Sequence, residues 1–135
     1  MNRRKFLEFA AILPLILTGR SADAAHHPVS SRDGREVVLL DTLIAGWQYH
    51  QGDQIWHLLQ DDTPLTLSRE PQNPYDERAI AVFAADVKLG YVPRLHNTVL
   101  AGLIDQNVPV KARVLKKHRT PHPWEKMEIR VTMTT

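Results

Sequence analysis

Hydrophobic and polar residues alternate in short runs along most of this chain. From Glu36 to Tyr49, the positions Val37, Val38, Leu39, Leu40, Leu43, Ile44 and Trp47 predict a long first strand or a bent strand pair. Ile55 to Leu59 fits a strand or a helix equally well. Pro64 to Arg69 places Leu65, Leu67 and Arg69 on one face, as a half-buried strand does. Ala79 to Phe83 sets Ile80 and Val82 against Ala79, Ala81 and Phe83. Ala84-Ala85-Asp86 reads as a hairpin loop, and Lys88 to Val92 as the returning strand, with Gly90 interrupting its side-chain pattern. At Pro93 the period changes. Leu95, Val99 and Leu103, with Leu100 and Ile104, recur at three- and four-residue spacing and predict a helix over Arg94 to Gln106. Asn107 suits a left-handed helix end. Val108 to Leu115 and Met127 to Met133 alternate again, separated by a loop over Lys116 to Trp124 that contains Thr120, Pro121 and Pro123. About six short strands and one main helix make a mainly β fold, and their spacing suggests a small barrel.

The first residues follow other rules. "MNRRKFLEFAAILPLILTGRSADAA" has a basic start at Arg3-Arg4-Lys5, an apolar stretch from Phe9 to Leu17, and an A-x-A site at Ala22-Asp23-Ala24. Nine apolar residues span only about 14 Å as a helix, roughly half a bilayer core. Residues 1–24 are therefore expected to be an export signal helix that meets the membrane only during export. Arg3-Arg4-Lys5-Phe6-Leu7 resembles a twin-arginine motif; Asn2 and Glu8 depart from its flanks. The expected location is exported and periplasmic, the alternative being a membrane anchor from an uncleaved segment. Residues 25–35 read as a polar, flexible linker, and residues 36–133 as the folded domain.

The chain has 135 residues, enough for one domain, and no cysteine. Disulfides, Cys-based zinc sites and thiol catalysis are excluded. Charge is polarised. Ala25 to Val110 carries 6 Lys/Arg against 11 Asp/Glu, whereas Lys111 to Thr135 carries 7 against 2. The basic C-terminal segment suggests a local anionic contact; lysines guarding a strand edge would look the same.

The densest chemistry lies in "REPQNPYDERAIAV", residues 69 to 82. Asn73-Pro74-Tyr75-Asp76 is a turn: Asn suits its first position and Pro fixes φ at the second. Asp76 can accept hydrogen bonds from the backbone or from Arg69, so the stretch can be a structural corner holding a buried ion pair. A Tyr at the tip of a Pro-fixed turn is expected to be partly exposed, where its face can bind a ligand.

"LTLSREPQNPYDERAIAVF", "KLGYVPR" and "LAGLIDQ", with "AGWQYHQG" upstream, resemble the HIRAN domain family over about Glu36 to Met133. The resemblance implies a six-stranded OB-like barrel with flanking helices that binds single-stranded DNA at its free 3′ end. Carried over by position, Tyr75 would stack on a base, while Asn73 and Asp76 would accept hydrogen bonds near the terminal hydroxyl. Tyr49 and His50 fall where the family has a Tyr pair, in a Gly-x-x-Tyr-Tyr-x-Gly-like strand. Gln48 falls where the DNA-binding member has Arg, Tyr91 replaces a His, and Arg94 matches a Lys that would contact phosphate. A carboxylate repels a phosphodiester but accepts from a hydroxyl, so Asp76 is the residue able to select an end.

Rival readings remain. His118 and His122 are four apart, but Pro121 and Pro123 oppose the helix that would align them as metal ligands. Cleavage after Ala24 would expose Ala25-His26-His27, a set able to hold copper or nickel in a plane; a chance His pair in a linker is the simpler account. No phosphate-binding Gly loop, nucleophile elbow or metal-binding helix motif is present. The expectation is a binding module without cofactor, rather than an enzyme. Single-stranded nucleic acid is the expected partner, the alternative being another ligand, such as a sugar, peptide or protein, in the same aromatic pocket.

Overall fold

The computed structural model describes residues 34–135. The expected export signal, the Ala25-His26-His27 site and all of the linker except Gly34 and Arg35 lie outside these residues. The strands are β1 (Glu36–Leu43), β2 (Pro64–Glu70), β3 (Ala79–Ala84), β4 (Val87–Tyr91), β5 (Val110–Lys117) and β6 (Met127–Thr134), with one α-helix, α1 (Asn97–Asp105). All pairings are antiparallel, in the order β1-β6-β5-β2-β3-β4.

The sheet is two three-stranded halves joined by two thin seams. One seam is a short pairing of Pro64 and Leu65 with Arg113 and Ala112. The other is a single bridge between Ala45, just past β1, and Tyr91 at the end of β4. Its two backbone hydrogen bonds measure 2.8 and 2.9 Å, and they close the sheet into a barrel. Bulges at Val38/Leu40, Val82/Phe83 and Val114/Lys116 supply the bending that closure needs. Gly90 makes the closing seam feasible: it adopts φ +151, and a Cβ there would collide with the Ala45 carbonyl oxygen.

Inside the barrel, Ile80, Leu89, Val114, Ile129 and Val131 are fully buried, in keeping with the alternation in their strands. Trp47 is buried too; its Nε1 donates to Asp53 Oδ1 at 2.8 Å, so its one polar atom is satisfied. The hairpin at Ala85-Asp86 forms as expected, with Ala85 at φ 51, and Asn107 ends the helical segment at φ 63.

Two expectations are corrected and one open reading is resolved. The first strand stops at Leu43 rather than running to Tyr49. Gly46 turns the chain at φ 75 into a 3-10 turn, Trp47–Tyr49, that swings Trp47 into the core. The Gln48-Tyr49-His50 segment is therefore a turn and its edge, not a strand. The Ile55 region, open between strand and helix, is helical, a 3-10 helix over Gly52–Leu58. In the helical segment, Leu95 and Val99 face solvent at 86% and 75% exposure, while Asn97, Leu100 and Ala101 are buried. The inward stripe is 97, 100, 101, with a polar residue leading it. No helix among the described residues is long and apolar enough to cross a membrane.

Candidate functional site

The turn after β2 is built by its own side chains. Asn73 Oδ1 accepts from the backbone N–H groups of Tyr75 and Asp76, at 2.9 and 3.2 Å. This is an Asx turn, and Pro74 fixes its middle. The result throws Tyr75 outward, 86% exposed. Asp76 then folds back: its Oδ1 accepts from Arg78 N at 2.9 Å and its Oδ2 from Asn97 Nδ2 at 2.7 Å. Those bonds, with the Arg94 and Arg78 guanidiniums nearby, hold the Asp76 carboxyl below its ordinary value.

Glu70 anchors the turn from behind. Its Oε1 accepts from Asn73 Nδ2 at 3.0 Å and from the Tyr91 hydroxyl at 2.8 Å, and its Oε2 from Lys88 Nζ at 2.8 Å. Lys88 also donates to the Tyr91 hydroxyl at 2.6 Å and lies 4.4 Å from the centre of its ring. Partial burial pushes the Glu70 carboxyl up, but the hydrogen bonds from Lys88, Asn73 and Tyr91 outweigh it and leave the group below its ordinary value. Burial pushes Lys88 down, and its bonds to Glu70 and Tyr91 more than reverse this. Both partners stay charged at neutral pH, so the network fixes Tyr91 against the turn. Arg69 is not the partner of Asp76. It bonds Asp105 Oδ1 at 2.9 Å and the Ala79 carbonyl at 2.9 Å. The Arg69–Asp105 pair is half open to solvent rather than buried.

Between the turn and the closing seam lies an open cleft of about 420 Å³, lined by Ala45, Tyr75, Asp76, Tyr91, Val92 and Arg94 among others. Five of the eight expected site residues, Asn73, Tyr75, Asp76, Tyr91 and Arg94, line it. Gln48, Tyr49 and His50 do not. His50 packs edge-on against Tyr91, with ring centres 5.6 Å apart. Partial burial, then the Lys88 ammonium, lowers its imidazole below the ordinary value, which keeps it neutral at pH 7. Gln48 and Tyr49 stand exposed on the 3-10 turn that follows the seam.

A sequence profile of the HIRAN domain matches residues 37–134. The chain belongs to the HIRAN domain family. Within it, a Fanconi-associated nuclease 1 homolog of rice (Oryza sativa subsp. japonica) is 37% identical over 83 residues, covering 58% of this chain and 8% of that protein. The chain thus spans a small fraction of that relative. A protein from Lactobacillus plantarum superposes with a TM-score of 0.64 at 26% identity, covering 73% of this chain and 95% of that one. The HIRAN domain of human HLTF superposes with a TM-score of 0.57 at 22% identity, covering 74% and 78%. The mainly β barrel with one helix is thus the family's fold.

This HIRAN domain carries further features that the pattern reading passed over. A groove of about 510 Å³ adjoins the cleft through Ala45 and is lined by Pro93, His96 and Trp124. Trp124 is 55% exposed, and His122 stacks on it at 4.9 Å. An aromatic in a Pro-rich loop was the available signal. Asn97 gave a weaker one, its spacing with Leu100 and Ala101. His118 pairs with Glu128 Oε1 at 3.1 Å, whereas His122 stacks on Trp124. Among the described residues, no three His, Asp or Glu side chains gather as metal ligands would.

Four of the seven cations of the basic C-terminal segment are engaged within the chain. Arg130 bonds Asp41 through two 2.8 Å contacts, Arg113 reaches Glu36 and Asp62, and Lys126 reaches Asp53. Lys117 donates to the Trp56 carbonyl.

Proposed function

We propose that this HIRAN domain binds single-stranded nucleic acid and seats its free 3′ end in the cleft between the Asn73–Asp76 turn and Tyr91. The observation that carries this reading is the set of groups lining one cleft: an exposed aromatic face at Tyr75, a carboxylate at Asp76 and a cation at Arg94. Stacking on Tyr75 would contribute about 1–3 kcal/mol per base. Arg94 would neutralise one phosphate. A carboxylate has roughly four acceptor positions, and Asp76 uses two internally, so acceptor capacity is left for a terminal hydroxyl. Asn73 differs: both backbone bonds of its turn fall on Oδ1, so its role is to shape the cleft. The rice relative, named as a nuclease, sets a similar module beside nucleic-acid chemistry.

The module acts by binding and not by catalysis in this proposal. It is exported to the periplasm, consistent with the sequence of residues 1–24. A second reading is a neutral ligand in the same cleft, favoured by the excess of acidic residues between Ala25 and Val110. Fluorescence anisotropy with labelled single strands ending in a 3′-hydroxyl or a 3′-phosphate tests the first reading. Preference for the hydroxyl, with affinity that falls as salt rises, is expected. Absence of binding to either strand at low salt would sink it and leave the neutral ligand.

A further inference from the structure

Asn97 opens α1 and is only 2% exposed, yet its amide reaches Asp76 in the cleft lining. It donates to Asp76 Oδ2 at 2.7 Å, while Arg78 N holds Oδ1 at 2.9 Å. The carboxylate is gripped at both oxygens and cannot rotate without breaking a bond. Arg94, three residues before Asn97, lines the same cleft as Asp76. The two opposite charges attract, and a guanidinium fork matches a carboxylate well. Even so, no ion pair joins them, whereas Arg69, Arg113 and Arg130 each pair with a carboxylate.

Building on the end-binding reading, we infer that Asn97 is a positioning residue that holds Asp76 away from Arg94, so that an acceptor for a terminal hydroxyl and a cation for the adjoining phosphate stay separate in one cleft. Released from Asn97, Asp76 would close on the guanidinium. Each group would neutralise the other, and the cleft would lose both of its polar contacts to the ligand.

The test uses the full chain with the hydroxyl- and phosphate-ended strands. The wild type should prefer the hydroxyl by about tenfold or more, the size expected for a hydrogen bond to a charged group. Asn97→Leu, close in size but without a donor, should lose that preference, as should Asn97→Ala; thermal melting confirms that each is folded. Adding Arg94→Gln to Asn97→Leu should restore the preference at weaker overall affinity, because Asp76 then has nothing to close on. A merely structural Asn97 predicts no such rescue. Wild-type preference retained in Asn97→Leu, or no rescue by Arg94→Gln, overturns the proposal. A ligand-free arm separates it from the end-binding reading. Carbon-13 NMR follows the Asp76 carboxyl midpoint, which Arg94→Gln should move further in the Asn97→Leu background than in the wild type. Equal movement overturns the positioning role even where strands bind. Should the wild type fail to prefer the hydroxyl, the end-binding reading falls, and this titration alone decides the role of Asn97.

Discussion

The two halves of the barrel hold their charges differently. The half made by β1, β5 and β6 is rich in cations; Arg113, Lys126 and Arg130 are paired with carboxylates, Lys117 sits on the Trp56 ring and carbonyl, and Lys111, Lys116 and Arg119 lie outside the cleft. The half made by β2, β3 and β4 is poorer in cations. There, Arg94 has no carboxylate partner, and Asp76 is held by neutral donors only. What sets Arg94 apart is that it is unpaired and shares a cleft with an exposed aromatic face, and a count of basic residues does not locate it. Ion pairs on the first half anchor strands; surface pairs of this kind contribute about 0–1 kcal/mol each.

The comparison can be broken in several ways. The largest effect is expected from Gly90→Val, which places a branched side chain against the Ala45 carbonyl at φ +151. Strain and overpacking should cost more than about 2 kcal/mol, read by urea denaturation, and should abolish cleft binding. A stable variant that still binds would mean that the halves need no closing seam. Next, Tyr75→Ala should weaken strand binding by about 1–3 kcal/mol and leave the melting temperature unchanged, since Tyr75 is 86% exposed. Arg94→Gln should reduce the slope of log affinity against log salt by about 0.7, one phosphate's worth on a single strand. The combined Lys111→Ala and Lys116→Ala variant should leave that slope nearly unaltered. The reverse ranking would move the binding face to the other half.

The smallest effect concerns acid. Hydrogen bonds from Arg130 to Asp41, and from Trp47 and Lys126 to Asp53, keep those carboxyls below their ordinary values, as bonds also do for Glu70 and Asp76. A folded pKa below the unfolded one contributes stability above about pH 4, and the contribution is lost as pH falls through the folded value. Melting temperature should therefore hold near neutrality and drop below about pH 4. Asp41→Asn should flatten that drop more than any substitution of an exposed, unbonded carboxylate.

The strands were legible where one face is buried, which imposes a period of two that Ile129 and Val131 declare directly; in β3, buried on both faces, the alternation of Ile80 and Val82 with alanines, large against small, carried the same signal. Gly90 registered only as a break in its strand's pattern, while Pro93 marked the change to helix. Tyr75 was legible because Asn73 and Pro74 force its exposure. What escaped depended on contacts far apart in sequence. Asn97 looks like a helix-start residue until Asp76, 21 positions earlier, arrives beside it. Arg69 looked destined for the nearby turn, but β2 carries it to Asp105, 36 positions away. Leu95 and Val99 mimic a buried stripe, because periodicity alone does not say which of two stripes faces the core. Ion pairing by the basic segment was equally invisible, since Asp41 and Glu36 lie on another strand.

The single Ala45–Tyr91 bridge has one more consequence. It is the floor of the cleft as well as the join of the barrel. Two backbone hydrogen bonds, with no neighbouring ladder on either side, are free to unzip without unfolding the domain. A guest lying across Ala45 and Tyr91 would act as a splint over that join. Its arrival would be recorded as slowed hydrogen exchange at two amide protons, those of Ala45 and Tyr91, in the backbone beneath the side chains that recognise it.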